Sequence, residues 1–258
     1  MLTQGKPYTL FAWLVHAFTA IGLILAAGMA VLIFRGGAAS FRWAFVLMLV
    51  ATIVDAVDGT LARWARVKEV LPGFDGRRLD DIIDFQTYTS LPLLLIWRAE
   101  ILPDHLAWLL LVPLVASAYG FCQVSAKTDD GYFLGFPSYW NLVAFYLYVL
   151  HPPAWFSIGL ILALSVLTFV PARYLYPSQT GILNRVTSIL SAVWLPLPIW
   201  ILVRLSAANL VSGETTADTV RWLALVSLFF PLYYLFASWG VTLGLLLRGK
   251  TGSRGSNS

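Results

Sequence analysis

Residues 43–84 read WAFVLMLVATIVDAVDGTLARWARVKEVLPGFDGRRLDDIID, and this stretch determines how the rest of the chain is interpreted. The apolar run from Trp43 to Val54 leads directly into Asp55 and Asp58, so these carboxylates are carried into or near a membrane. Seven of the thirteen acidic residues lie between Asp55 and Asp84. Each charge at bilayer depth costs about 2.5–3.5 kcal/mol, so four unpaired aspartates would cost on the order of 10 kcal/mol. Basic side chains or metal ions must therefore neutralise them.

The acidic residues of this stretch fall on two helical stripes. Residues three or four positions apart share one face of a helix. The first stripe is Asp55, Asp58, Gly59, Ala62 and Arg63, and the second is Gly76, Asp80 and Asp84. Two such stripes facing each other place four carboxylates around one point.

Four carboxylates around one point favour a divalent metal site, because Mg²⁺ and Mn²⁺ prefer oxygen ligands. The small residues Gly59, Ala62 and Gly76 leave room for a ligand beside the backbone, and Arg63 offers a fork suited to a phosphate. A two-metal clamp on a phosphate bridge fits this pattern. The alternatives for intramembrane aspartates are a proton relay, an ion pathway or a buried salt bridge.

The composition of the whole chain is that of an integral membrane protein. Of 258 residues, 59% are hydrophobic and only 12% are charged, whereas soluble domains carry about 25% charged residues. This excludes an ordinary soluble enzyme, a disordered chain and a nucleic-acid-binding domain. The net charge of +4 is therefore interpreted as a determinant of membrane orientation.

The hydropathy pattern predicts an all-α bundle of about eight transmembrane helices, since about 20 apolar residues cross the hydrocarbon core. One domain is expected over residues 1–250, followed by a flexible polar tail over 251–258. The predicted spans are about 11–34, 43–63, 80–98, 105–126, 132–150, 154–173, 185–204 and 222–247.

The positions of Lys and Arg predict that both termini face the cytoplasm. With the N-terminus inside, twelve of the seventeen basic residues fall in inner segments, as the positive-inside rule requires. An even number of spans then returns the C-terminus to the same side.

The two stripes match a known signature. The runs DAVDGTLAR (55–63) and GRRLDDIID (76–84) resemble the D-x2-D-G-x2-A-R and G-x3-D-x3-D halves of the CDP-alcohol phosphotransferase family, with every fixed position filled. A spacer of twelve residues (64–75), the eight spans and the segment GYFLGFPSYWN (131–141) look like the bacterial phosphatidylcholine synthase branch of that family.

The resemblance implies an enzyme in which an alcohol attacks the lipid-side phosphate of CDP-diacylglycerol and CMP leaves. It implies two Mn²⁺ or Mg²⁺ ions, a bacterial inner-membrane location and an active site facing the cytoplasm, and it is compatible with a homodimer. The implied metal ligands are Asp55, Asp58, Asp80 and Asp84, of which Asp84 is also the catalytic base. The implied CDP-binding residues are Gly59, Ala62, Arg63 and Gly76.

The acceptor implied by the branch is choline, a quaternary ammonium that proteins usually hold in an aromatic cage. The cage candidates near the expected site are Tyr132, Tyr139 and Trp140, with Asn141 as a hydrogen-bonding partner. Aromatic belts at span ends offer an alternative explanation for them. Arg173 and Arg185 at the inner face are candidates for lipid phosphate or for anchoring helix ends.

Neighbouring charges have structural interpretations. Asp75 is expected to cap the helix that starts at Gly76, and Asp81 to pair with Arg77 or Arg78. Two alternatives to the choline enzyme stay open. One is a related enzyme acting on serine, inositol phosphate or glycerol 3-phosphate, and the other is a cation transporter or channel. The clustering of the acidic residues near one face argues against a transport pathway.

Overall fold

The computed structural model describes residues 6–124, 128, 132–175, 181–208 and 214–252. These residues are almost entirely helical, which confirms the all-α prediction. Among them, five stretches are long and apolar enough to cross a membrane, so the protein is a multi-pass membrane protein. They are Tyr8–Arg35, Ala38–Trp64, Asp104–Cys122, Ile182–Leu205 and Asp218–Leu245.

The chain divides into two compact units, Met1–Ala107 with Tyr139–Tyr148, and Trp108–Ser138 with Val149–Ser258. The first unit contains α1 (Lys6–Arg35), α2 (Ala38–Trp64), the short α3 (Val67–Val70), α4 (Gly76–Asp84), a π-helical segment (Phe85–Ser90), α5 (Leu91–Arg98) and most of α7 (Trp140–Leu150). The helical segments from Gly76 to Arg98 follow one another without a break.

The core of the first unit lies between α1 and α2, which pack along each other. A small residue also allows α4 to approach α1 closely. Gly22 on α1 faces Ile83 on α4, and an added Cβ there would overlap the Ile83 side chain. The helices α4 and α5 are therefore held against α1. The buried apolar residues of α1 and α2 include Ala12, Val15, Met29, Ile33, Phe41, Ala44, Phe45 and Met48.

The second unit contains the last three residues of the 3-10 segment Asp104–Leu110, α6 (Leu111–Cys122), β1 (Tyr132–Leu134), α8 (Ala154–Leu167), β2 (Arg173–Leu175), α9 (Ile182–Trp194), α10 (Pro196–Ala208), α11 (Glu214–Ser227) and α12 (Phe229–Gly252). The strands β1 and β2 pair antiparallel, with Phe133 opposite Tyr174. Tyr234 on α12 donates a hydrogen bond to the Leu175 carbonyl and ties β2 to that helix.

Two of the predicted spans include residues that form strands. The prediction of a helix over 132–150 was wrong in its first part, where residues 132–134 form a strand and Gly135 takes a positive φ of 84°. The helix proper is α7, whose 11 residues extend only about 16 Å at 1.5 Å per residue. Likewise α8 ends at Leu167, six residues before the end of the predicted span 154–173, and the last residue of that span, Arg173, starts β2.

At the C-terminus, α12 continues through Gly252. The first two residues of the predicted tail are therefore helical. The rest of that tail, 253–258, lies outside the described residues.

Candidate metal centre and active site

The acidic stretch folds into two helix segments that meet at one end of the first unit. After α2, Arg66 takes a left-handed conformation with φ 48° and precedes the short helix α3. The residues 71–74 then lead to Asp75. The Asp75 carboxylate accepts a hydrogen bond from the Arg78 amide at 3.1 Å and starts α4, as the sequence indicated. Arg77 pairs with Asp81 one turn later, at 4.0 Å, which confirms the ion pair expected there.

Three of the four motif aspartates come together. One carboxylate oxygen from each of Asp55, Asp80 and Asp84 lies within 4.8 Å of the others, and all three residues are half-buried. The Oδ1 atom of Asp84 is fully enclosed by protein. The convergence of an α2 stripe and an α4 stripe, predicted from spacing alone, therefore holds for these three residues.

Asp58 is placed differently from the other three. Its side chain is only 5% exposed, and the Thr19 side chain on α1 and the backbone amide of Gly59 are close to its carboxylate. Asp55 is close enough to act on it electrostatically. The structure thus brings Asp58 beside the cluster but holds it toward α1.

The three clustered carboxylates fit a hard divalent cation. Two oxygens bound to one such ion at about 2.0–2.6 Å lie at most about 4–5 Å apart, and the three oxygens here lie within 4.8 Å of one another. The donor set consists of oxygens, as Mg²⁺ and Mn²⁺ prefer. An Asp cluster of this kind is a candidate metal site.

Tyr88 is a member of this site that the sequence analysis missed. Its phenol donates a hydrogen bond to Oδ2 of Asp55 at 2.8 Å, and its side chain is 9% exposed. The available signal was its spacing, since Asp80, Asp84 and Tyr88 follow one another in steps of four residues. The Tyr139 ring lies beside it, with centroids 6.2 Å apart.

The predicted CDP-binding residues of α2 lie at its exposed end. The exposed Arg63 donates to the Thr60 hydroxyl at 3.1 Å, and its guanidinium lies beside Gly59, 3.6 Å from where a Cβ would stand. Ala62 packs against the apolar cluster of Ala12, Val15 and Val67. Arg63 and Gly59 therefore remain available to a phosphate, whereas Ala62 also has a packing role.

Gly76 has a close packing partner on α1. A Cβ at this position would overlap the imidazole ring of His16, reaching 2.9 Å from Nδ1. His16 is 6% exposed and is flanked by Phe74 and Trp13, whose ring centroids lie 4.5 Å and 6.0 Å away. The glycine here is required by the approach of α1 to the start of α4.

The predicted choline residues of the first unit have three different environments. Tyr139 is half-buried beside Tyr88. Trp140 is fully buried at 0% exposure and is part of the core. Asn141 donates from Nδ2 to the Thr52 hydroxyl at 3.3 Å and accepts from the Leu142 amide at 2.8 Å.

The other three predicted residues belong to the second unit. Tyr132 lies on β1, and the Arg173 guanidinium lies over its ring, 5.7 Å from the centroid. That face of the ring already has a cationic neighbour. The backbone amide of Arg173 donates to Thr242 at 2.8 Å, and Arg185 is exposed on α9.

An acidic cluster within an all-helical membrane fold is consistent with the CDP-alcohol phosphotransferases, the class indicated by the motif. No family model matches the chain. The chain is similar to phosphatidylcholine synthases of Pseudomonas aeruginosa (41% identity, covering 71% of this chain and 76% of the relative), Legionella bozemanae (34%, 75% and 93%) and Borreliella burgdorferi (31%, 89% and 93%). The chain belongs to the phosphatidylcholine synthase family, and it is an enzyme of the transferase class.

Proposed function

We propose that this enzyme transfers the phosphatidyl group of CDP-diacylglycerol to choline and releases CMP. The observation that carries the proposal is the combination of two facts. The similarity to phosphatidylcholine synthases extends over 71–89% of the chain, and the motif aspartates Asp55, Asp80 and Asp84 form a cluster that fits a cation.

In this proposal, Asp55, Asp80 and Asp84 hold the divalent cations, and Asp58 completes the set of ligands for two ions, Mn²⁺ or Mg²⁺. When bound, such ions neutralise the charge of the pyrophosphate and of the departing CMP. Because Asp58 is oriented toward Thr19, we expect it to bind more weakly than the other three carboxylates.

Asp84 is proposed as the catalytic base. Its carboxylate takes the proton of the choline hydroxyl while the choline oxygen forms a bond to the phosphorus that carries diacylglycerol. The bond from that phosphorus to the CMP oxygen breaks, and CMP leaves with the electron pair. The enclosure of one Asp84 oxygen supports this role, since burial favours a carboxylate that accepts a proton.

The nucleotide is proposed to bind at the end of α2. The Arg63 guanidinium contacts a phosphate, for which its planar fork is suited, and Gly59 and Ala62 let the substrate approach the helix backbone. Gly76 contributes indirectly, because it lets α4 lie close to α1 and so fixes the start of the helix that carries Asp80.

For choline, Tyr139 is the strongest of the predicted residues because it is half-buried and adjoins Tyr88 at the cluster. Asn141 orients this region through its bond to Thr52. Trp140, being fully buried, supports Tyr139 from the core. Tyr132 is the weakest candidate, since Arg173 occupies its ring face.

The remaining features of the proposal concern the membrane. We propose eight crossings by one functional domain over residues 1–250, with both termini and the active site on the cytoplasmic side of a bacterial inner membrane. Arg173 and Arg185 would then contact lipid phosphates at the inner leaflet. A homodimer is compatible with the family resemblance.

Synthesis in cells tests the function directly. The chain is produced in a bacterium that makes no phosphatidylcholine, choline is supplied, and the lipids are analysed by mass spectrometry. Phosphatidylcholine should appear with the native chain and be absent with Asp84→Asn. The matched control is Asp81→Asn, which alters a carboxylate on the same helix that pairs with Arg77 and should leave synthesis unchanged. Absence of phosphatidylcholine with the native chain, correctly inserted, would contradict the proposal.

A further inference from the structure

We infer that Tyr88 is a positioning residue that holds the Asp55 carboxylate in the orientation needed to bind a cation. The inference rests on the proposed function only for the identity of the reaction, and not for the role of Tyr88 in cation binding. Its structural basis is the 2.8 Å hydrogen bond from the Tyr88 phenol to Oδ2 of Asp55, which joins residues 33 positions apart.

The bond constrains the carboxylate in a specific way. A hydroxyl that donates to an ionised carboxylate forms one of the stronger hydrogen bonds in proteins, and burial protects this one from competition with water. With Oδ2 accepting from Tyr88, rotation of the Asp55 carboxylate about its terminal bond is restricted. The plane in which its oxygens face the cluster is therefore fixed before a cation arrives.

The π-helical segment explains how Tyr88 reaches this position. In an α-helix a step of four residues rotates about 40° past a full turn, so Tyr88 would drift away from the face that carries Asp84. The residues from Phe85 to Ser90 are instead π-helical, and a π turn contains more residues than an α turn. A step of four residues therefore falls short of a full turn in the π-helical segment and offsets the advance made between Asp80 and Asp84, so the phenol stays on the side of the cluster.

A second polar group of α2 lies near the phenol. The Thr52 side chain, one turn before Asp55 on α2, is close to Tyr88, and its hydroxyl donates to the Met48 carbonyl at 3.0 Å. Thr52 also accepts from Nδ2 of Asn141 on α7 at 3.3 Å. Tyr88 is thus beside both Asp55 and a polar contact that connects α2 to α7, and a hydrogen bond to the ligand from a buried neighbour is the arrangement expected of a residue that orients a metal ligand.

The test compares Tyr88→Phe with Tyr148→Phe. Both remove one phenolic oxygen from the first unit, but the Tyr148 ring packs against Phe41 and Phe45. Mn²⁺ is titrated into each purified protein in detergent, and free Mn²⁺ is followed by its electron paramagnetic resonance signal. Loss of a residue that orients a metal ligand weakens metal binding by about 10–100-fold, so Tyr88→Phe should raise the Mn²⁺ Kd at least about tenfold and Tyr148→Phe should not.

Two further readouts separate positioning from folding and from substrate contact. Thermal unfolding of Tyr88→Phe without Mn²⁺ should remain a single cooperative transition, with a loss of stability no larger than that of one buried hydrogen bond. At saturating Mn²⁺, the KM for choline should change by less than about twofold, whereas the Mn²⁺ concentration for half-maximal rate should rise in step with the Kd. Asp55→Ala supplies an independent check, because adding Tyr88→Phe to it should weaken Mn²⁺ binding no further if the phenol acts through the Asp55 carboxylate.

The inference is overturned by an unchanged Mn²⁺ Kd in Tyr88→Phe, by an equal rise in Tyr148→Phe, or by full additivity with Asp55→Ala. The outcome is separable from that of the proposed function. A native protein that makes no phosphatidylcholine, yet loses Mn²⁺ affinity on Tyr88→Phe, would reject the function and retain this role for Tyr88.

Discussion

The substitution Gly76→Ala separates a packing role for this motif glycine from a nucleotide-binding role. An added Cβ would overlap the His16 ring, and the Nδ1 atom alone would have to retreat about 0.5 Å from 2.9 Å to reach the 3.4 Å of ordinary contact. The ring has little room to do so, because it is buried between Phe74 and Trp13. Overpacking of this kind costs about 1–3 kcal/mol.

An opposing effect reduces this penalty. The backbone of Gly76 does not have a positive φ, so alanine is compatible with it and gains about 0.4–1 kcal/mol through the unfolded state. We therefore expect Gly76→Ala to lower the free energy of unfolding by about 1–2 kcal/mol. In a His16→Ala background the steric cost disappears, and the same substitution should stabilise by about 0.4–1 kcal/mol.

The assay is denaturant unfolding in detergent micelles without CDP-diacylglycerol. The four proteins compared are the native protein, Gly76→Ala, His16→Ala and the double variant. A change of sign between the two backgrounds would establish that Gly76 accommodates His16. An equal effect of Gly76→Ala in both backgrounds, or no effect in either, would refute the reasoning. A nucleotide-binding role alone predicts a raised KM for CDP-diacylglycerol with unchanged stability.

Three further substitutions test the assignments at the site. Asp84→Asn should lower kcat by about 10²–10⁴-fold, the usual contribution of a general base, while Mn²⁺ binding remains measurable; normal turnover would remove Asp84 as the base. Asp58→Ala should weaken Mn²⁺ binding in a direct titration, and an unchanged metal requirement would contradict its role as a ligand. Trp140→Ala should destabilise the protein by about 3–5 kcal/mol, because it empties a fully buried site, whereas Tyr139→Ala should mainly raise the KM for choline. A Trp140→Ala protein that is stable but has a raised KM for choline would contradict this assignment and would indicate that Trp140 contacts choline.

The parts of the site that could be predicted from sequence are those set by local spacing. Steps of three and four residues fix which side chains share a helix face, so the convergence of Asp55 with Asp80 and Asp84 followed once two helices were expected. The Asp75 cap and the ion pair of Asp81 are equally local. Such features depend on few neighbours and need no knowledge of tertiary packing.

The parts that could not be predicted depend on contacts between distant segments. The packing of His16 on Gly76 requires knowing that α1 crosses the start of α4. The four-residue spacing of Asp80, Asp84 and Tyr88 was not sufficient to predict the bond from Tyr88 to Asp55, because that bond joins residues 33 positions apart and depends on the π-helical segment. The aromatic content of 132–150 was compatible with a helix, yet its first residues pair with 173–175 in a strand some forty positions away.

The aromatic residues illustrate the same limit. Tyr132, Tyr139 and Trp140 are equivalent on composition and nearness to an inner loop. Their environments differ once the chain is folded, since Tyr132 lies under Arg173, Tyr139 beside Tyr88 and Trp140 within the core. Burial and partner identity distinguish them, and both arise only from tertiary structure.

The most direct measurement of the central claim is CMP release by the purified protein in detergent. The protein is given CDP-diacylglycerol, Mn²⁺ or Mg²⁺, and one alcohol at a time: choline, serine, inositol phosphate or glycerol 3-phosphate. We predict release with choline alone, and loss of that release when the divalent cation is chelated. Release with a different alcohol would contradict choline as the acceptor, and no release with any of them would contradict the transferase reaction and favour a cation-transport role for the acidic cluster.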